Sequence, residues 1–397
     1  MMDKTTSGAG PSASRTRNLV LFILGMFMVS IAGGMFETTF NNYVKDTFSL
    51  SAAARGWLEF PRELAGFLTA ITAGLLFFLP ETRIAAASAV AIGLGTLGLA
   101  VMGGEWGWML VWVTLWSAGA HLIMPVRSSI SMDLADPNRK GRRMGQIAGF
   151  MTAAGIVGCT FVWLAMKHWQ AGYRLVFTVG GVCALLGAVF FWQMRMPGAH
   201  IQRPKFLWNN RYWLYYVLAF LFGARKQIFI TFGPWLLVQI FNQPAFILAQ
   251  LWIAASVLGM LFQPALGWAI DRFGERAVLM ADSVLVFLVC AGYGLAHLLP
   301  DARMALWLLY VCFVGDQLLF GVNMARDTYL ARIAIRQEHI APTLSLGITI
   351  NHAVSMSIPA LGGLVWMKYG HPAVFAGAAC VAVVMLVFSS QVRPRAR

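Results

Sequence analysis

Continuous apolar stretches of about 20 residues recur along the whole chain, and no other feature constrains its fold as strongly. Each is long enough to cross a hydrocarbon core of about 30 Å as a helix. The stretches do not alternate apolar with polar residues, so a transmembrane β-barrel is excluded. With 59% hydrophobic and 12% charged residues and a mean hydropathy of +0.68, a soluble chain of 397 residues could not hide its apolar side chains. The sequence therefore predicts an all-α polytopic membrane protein.

Twelve spans are expected, at 19–41, 55–79, 84–103, 107–131, 144–166, 173–194, 212–238, 246–270, 277–298, 304–327, 341–366 and 371–391. Residues 196–211 carry Pro197, Pro204 and several basic side chains. They read as a cytoplasmic linker between a bundle over 19–195 and a second over 212–391. Residues 1–18 are polar and rich in Ser, Thr and Gly, and read as a disordered cytoplasmic tail; residues 392–397 form a second short tail. The stretch from Leu19 is too long, and lacks a small-residue cleavage site, for a cleaved signal peptide. Trp57, Trp208, Trp213, Trp235, Trp307 and Trp366 fall near span ends, where indole rings anchor helices at the interface.

The formal charge of +14 invites a nucleic-acid reading. The placement of the charge gives a different one. With the N-terminus inside, nineteen of the thirty Lys and Arg residues fall on inner segments and six on outer loops. This is the asymmetry that orients helical membrane proteins and holds their inner face to anionic lipid. The expectation is a bacterial-type inner (plasma) membrane, a multi-pass chain with both termini cytoplasmic, and no nucleic-acid partner. Cys159, Cys183, Cys290, Cys312 and Cys380 lie singly in apolar segments, which suits packing. There is no metal-spaced His/Cys set and no phosphate-binding glycine loop, so neither an enzyme nor a cofactor is expected. Without a nucleotide site, transport would be secondary.

The two halves resemble each other. Met124-Pro125-Val126-Arg127 and Asn323-Met324-Ala325-Arg326 each end a span before a basic segment. Met166-Lys167 and Met367-Lys368 likewise close spans five and eleven. These pairs are about 200 residues apart, as parallel repeats with a binding site at their interface would be. Gly267-Trp268-Ala269-Ile270-Asp271-Arg272-Phe273-Gly274-Glu275-Arg276 resembles the G-x-x-x-D-R-x-G-x-R loop motif of the major facilitator superfamily, between spans eight and nine where that family carries a copy. The loop after span two, Leu79-Pro80-Glu81-Thr82-Arg83, departs from the motif, and span five has Gly149, Gly155 and Gly158 without the antiporter Gly-Pro pair. The resemblance implies twelve transmembrane helices in two pseudo-symmetric six-helix bundles, rocking about a midplane site. It also implies that Gly267, Asp271, Arg272, Gly274 and Arg276 form a conformational latch.

Ionisable side chains inside spans are costly unless they face protein or water. Glu59, Arg62 and Glu63 sit at i, i+3 and i+4 and share one helix face. Glu37, about 27 Å along span one, lies at a matching depth. A carboxyl whose protonation changes what a neighbouring Arg binds is what proton coupling needs; the bland alternative is a structural ion-pair network. Arg127 and Arg326 are repeat-related and suit substrate contact or an inner gate. Arg225 and Lys226, deep in span seven with Gln227 beside them, suit an anionic substrate group or pairing with Asp316. Asp316 in span ten and His352 in span eleven, with Asn351 adjacent, form a second candidate proton pair, since His changes charge near physiological pH. His121 is a weaker candidate, and Asp282 is expected in the inner-face network.

The sequence thus predicts a secondary transporter moving a small organic anion or zwitterion by alternating access, with protons as the coupling ion, working as a monomer in the lipid bilayer. Arg62, Arg225, Lys226, Arg127, Arg326, Gln227 and Asn351 are the expected substrate-binding residues. Glu37, Glu59, Glu63, Asp316 and His352 are the expected proton-coupling residues. The rivals are a broad-specificity amphiphile efflux pump and a non-transporting lipid or pigment carrier or assembly factor of the same fold.

Overall fold

The computed structural model describes residues 11–75, 79–136, 140–196 and 208–394. The expected linker falls largely on residues 197–207; with residues 1–10 and 395–397 it lies outside the described residues. Every regular element among the described residues is helical. In chain order the α-helices are α1 (Pro11–Phe48), α2 (Ala52–Trp57), α3 (Glu59–Leu75), α4 (Glu81–Met102), α5 (Trp106–Asp133), α6 (Lys140–His168) and α7 (Tyr173–Gln193). There follow α8 (Trp213–Gln239), α9 (Ala245–Leu295), α10 (Ala302–Leu319), α11 (Asn323–Ile333), α12 (Ile340–Tyr369) and α13 (His371–Ser389).

Nine helical stretches of the described residues are long and apolar enough to cross a membrane. The longest, which contains α9, breaks at Gly274, with φ 79° and ψ 163°. That backbone region is essentially restricted to glycine. The break lies inside the loop motif and separates expected spans eight and nine. Neither α3 nor α8 is among the nine. Each carries a charged cluster, Glu59/Arg62/Glu63 in one and Arg225/Lys226 in the other.

Three expectations are revised. Helix α1 begins at Pro11, so residues 11–18, expected in the tail, are helical. Partners elsewhere in the fold hold that turn: Asn18 is buried and donates to the carbonyl of Arg195 at 2.8 Å, and Arg15 pairs with Asp136 at 3.3 Å. Expected span two is not one helix. Ser51 caps α2 by accepting from Ala54 N–H, and the helix stops at Trp57. Pro61 accounts for the stop, because its ring would clash with the carbonyl four residues back. Finally, Trp235 and Trp366 do not sit at an interface. Trp235 is fully buried, and buried Trp366 packs on Phe232 at 5.6 Å between ring centroids.

Within the first half, α4 packs on α5 and α7, and α1 on α6 and α7; within the second, α9 packs on α10 and α13, and α8 on α12. Lipid tails are as apolar as leucine, so close packing and hydrogen bonds must hold such helices together. The halves meet through α2 and α3 against α12, α6 against α9, and α1 against α8 and α9. Many of the contacts gather on the side away from the termini. Lys45 donates to the Val238 carbonyl at 2.9 Å and to Asn242 at 2.7 Å, and Asn42 donates to the Gln243 carbonyl at 2.8 Å. Ala249 of α9 packs into an apolar cluster with Ile31, Met35, Ala154 and Val162. Gly56 of α2 lies so close to α12 that a Cβ there would strike the Pro359 carbonyl oxygen.

Candidate functional site

The site is built on the short α2–α3 junction. Arg55, Glu59 and Arg62 follow one another at helical spacing, and Glu59 sits between the two guanidiniums. Its Oε1 accepts from Arg55 at 2.5 Å and from Arg62 at 2.7 Å. Arg55 also donates from Nε to Asn41 of α1 at 2.9 Å. Burying such charges is costly unless each is paired and hydrogen-bonded. The paired positions match that rule: Arg55 and Glu59 side chains are 1% and 2% exposed.

Arg62 is shared. Its Nη2 lies 3.8 Å from Glu37 Oε1, and Glu37, in the middle of α1, keeps a side chain that is 40% exposed. The guanidinium sits over the rings of Phe40, Trp116 and Phe36 at 5.0, 5.6 and 5.9 Å. Such faces attract a cation and limit its other positions. The backbone beneath is fixed too, since Ser117 Oγ donates to the Arg62 carbonyl at 2.6 Å. A buried Glu59 therefore holds one edge of Arg62, while a half-buried Glu37 stands by the other at a distance that leaves the contact weak.

Two side chains of this face reach across to the second half. Gln227 of α8 donates from Nε2 to Glu59 Oε2 at 3.1 Å. His352 of α12 lies with Nδ1 2.7 Å from Glu63 Oε2. Lys226 is near enough to act on Glu63 electrostatically. His121 of α5 packs against His352 with ring centroids 5.0 Å apart. Among the described residues, Glu63, His121 and His352 are the group whose donor atoms come close enough to share a cation.

The remaining predicted residues lie elsewhere. Arg225 does not face a cleft; it is 1% exposed within the second half, with Nη1 3.2 Å from Asp282. Asp282, expected in the inner-face network, is thereby the partner of Arg225. Asp316 is buried nearby; Gln317 reaches its Oδ2 at 3.5 Å, and its Oδ1 has no hydrogen-bond partner among the described residues. The expected Asp316–His352 pair does not form, because His352 turns to Glu63. Asn351 packs its backbone against Gly223, and its Oδ1 accepts from Ser355 at 3.5 Å. Arg326 bonds to Asn323, lies over Phe222 at 4.7 Å and approaches Asp327 only to 3.9 Å. Arg127 contacts Met151 Sδ at 3.6 Å and lines a cavity of about 270 Å³ with Ser128, Ser131 and Thr152.

In the loop motif, Gly267 is half-buried, Asp271 and Arg272 are exposed, Gly274 makes the break, and Arg276 is half-buried. Glu275 bridges helices there, its carboxylate 3.2 Å from Arg332 of α11. Arg332 in turn donates to the Arg393 carbonyl at 2.7 Å.

Sequence reasoning missed Arg55, the first residue of expected span two. Its position four residues before Glu59 was the available signal, since that spacing puts the two on one face. Asn41, Ser117 and the ring cage of Phe36, Phe40 and Trp116 carried no signal, because nothing local distinguishes them from packing residues.

The family model described as "Major Facilitator Superfamily" matches residues 22–334. No curated protein matches the chain in sequence. Among solved structures, a variant of the nucleoside transporter NupG is similar with a TM-score of 0.75 and 18% identity, covering 94% of this chain and 99% of that one. A bacterial homolog of the human lysosomal transporter Spinster, inward-facing and occupied, matches at 0.74 and 17%, covering 97% and 98%. A D-xylose–proton symporter matches at 0.68 and 15%, covering 96% and 98%. At such identities these likenesses show the shared fold.

Proposed function

Because the chain belongs to the Major Facilitator Superfamily, we propose that it is a secondary active transporter that moves a small organic anion or zwitterion together with protons. The observation that carries this reading is the sharing of Arg62 between a buried Glu59 at 2.7 Å and a half-buried Glu37 at 3.8 Å. Glu37 takes up the proton. While ionised it competes for the outer edge of Arg62; once neutral it releases that edge to a carboxylate or phosphate of the substrate. Arg suits the task because its planar fork matches such groups and stays charged at every working pH. The charged groups that act on Glu37 are Arg62, Glu59, Arg55 and Glu63. All of them come from the α2–α3 face, so the proton and the substrate are read by one cluster.

Twelve crossings follow in this reading, with α2–α3 as one, α10–α11 as one and α9 as two about Gly274, in two bundles joined by the segment around 196–211. The halves rock about the cluster. The contacts Glu59–Gln227, Glu63–His352, Lys45–Val238 and Asn42–Gln243 close the side away from the termini and break when that side opens. Glu275–Arg332 belongs to the opposite face, where it steadies the loop latch. The charge asymmetry supports cytoplasmic termini in a plasma or bacterial inner membrane, and one chain suffices in this reading.

A thermal-shift screen of organic anions, zwitterions and cations on purified protein tests the substrate class, since a ligand stabilises according to its occupancy. Anions and zwitterions should stabilise the wild type and lose that effect in Arg62→Lys. Stabilisation by cationic amphiphiles alone would favour the efflux reading. No stabilisation by any solute would favour a carrier or assembly factor without alternating access.

A further inference from the structure

We infer that Glu63, His121 and His352 form a binding site for a divalent transition-metal ion of the Zn²⁺ class, bridging the two halves. This inference uses only the contact between the halves and does not depend on the transport reading. Each residue offers one ligand atom, and the three atoms lie within 4.8 Å of one another. A tetrahedral ion with bonds of about 2.0–2.1 Å would hold its donors about 3.3 Å apart, within reach of small side-chain rotations. Two imidazoles and a carboxylate with a fourth position left open make a donor set that suits Zn²⁺ and its neighbours, and not Ca²⁺ or Mg²⁺.

The surroundings prepare the donors. Nδ1 of His121 lies 2.9 Å from the Ser117 carbonyl oxygen, which can only accept, so Nδ1 carries the hydrogen. The lone pair of His121 is therefore on Nε2. An outer hydrogen bond of this kind orients ligating histidines. Gly66 makes the space: a Cβ there would stand 2.6 Å from His121 Cδ2 and 2.6 Å from His352 Nδ1. The rings come from α5 of one half and α12 of the other, and they meet over this glycine at an interplanar angle of 76°. Without metal, His352 Nδ1 and Glu63 Oε2 are 2.7 Å apart and share a proton. The ion takes that proton's place and the proton leaves to solvent. Two cations oppose the ion: Lys226, which acts on Glu63 from α8, and Arg62, which acts on it from α3 itself.

Since Glu63 and His121 belong to one half and His352 to the other, the ion staples the halves on the side away from the termini. The test is titration of the full-length protein in nanodiscs with Co²⁺ and then Zn²⁺, read by the visible absorption of four-coordinate Co²⁺ and by calorimetry. The expected result is one Co²⁺ per chain, displaced by Zn²⁺. His121→Gln and His352→Gln should each weaken binding by at least about 100-fold, more than an outer-sphere change would. Lys226→Met should bind more tightly than the wild type, and Gly66→Ala more weakly. Should a histidine variant fail to fold, Lys226→Met still decides. An absence of one-to-one binding, binding unchanged in His121→Gln, or weaker binding in Lys226→Met would overturn the assignment.

Discussion

Gln227 Nε2 donates to Glu59 Oε2 at 3.1 Å, and the bond joins α8 of the second half to α3 of the first. Both side chains are buried, so losing one leaves the other's polar atom without a replacement from water. Gln227→Leu should weaken closure on the side away from the termini by about 1–3 kcal/mol, the cost of an unsatisfied buried group. Labelling of a cysteine introduced at Gln243 reads that closure: the variant should label faster than the parent. Equal rates would mean that the bond does not hold the halves.

Glu59 and Glu37 should differ sharply in their effect on stability. Glu59→Gln strips the charge that separates Arg55 from Arg62 in a buried setting, and breaking one partner of such a set costs about 3–5 kcal/mol. Glu37 has a side chain 40% exposed and a 3.8 Å contact, so Glu37→Gln should cost less than about 1 kcal/mol. Thermal unfolding in the same detergent compares the two. A larger loss in Glu37→Gln would contradict the placement of the buried partner.

Close approach of α2 to α12 depends on Gly56, where a Cβ would strike the carbonyl of Pro359. Gly56→Val should hold the two helices apart and shift the protein toward the form open on that side. A distance measured by spin labels on α2 and α12 should lengthen; an unchanged distance would show that the helices accommodate the side chain elsewhere.

Gly274 breaks α9 with φ 79° and ψ 163°. Substitution by Ala should cost about 1–3 kcal/mol, because that backbone region is essentially closed to other residues. Arg332→Ala, which leaves the buried Glu275 carboxylate without its partner, should cost about 1–3 kcal/mol. Unfolding of the two variants side by side tests whether the backbone break or the ion pair matters more to the latch.

Much of the architecture was legible because membrane crossing needs long apolar runs, and those survive in any order of packing. The charged exceptions were legible for the same reason: Glu37 and Arg62 stand out against apolar neighbours, and their matching depths followed from helical rise. Which charges meet was not legible. Arg225 and Lys226 are adjacent, yet one pairs within its own half with Asp282 and the other lies near enough to Glu63 of the first half to act on it. Periodicity fixes the angle between neighbours on a helix but not which direction faces the partner bundle. His352 shows the same limit, since its partner Glu63 is 289 residues away. The α2–α3 break was written in Pro61, but the apolar run on either side concealed it.

In the proposed coupling, Glu37 carries the proton and Arg62 the substrate. Transport into vesicles under an imposed pH gradient, using an anion found by the thermal-shift screen, tests it most directly. For the wild type, binding of that anion should strengthen as pH falls, because protonated Glu37 no longer competes for Arg62, and a proton gradient should drive accumulation. Glu37→Gln, which mimics the neutral side chain, should bind without that pH dependence, exchange substrate across the membrane, and fail to accumulate it against a gradient. Accumulation by Glu37→Gln at the wild-type level would contradict the claim.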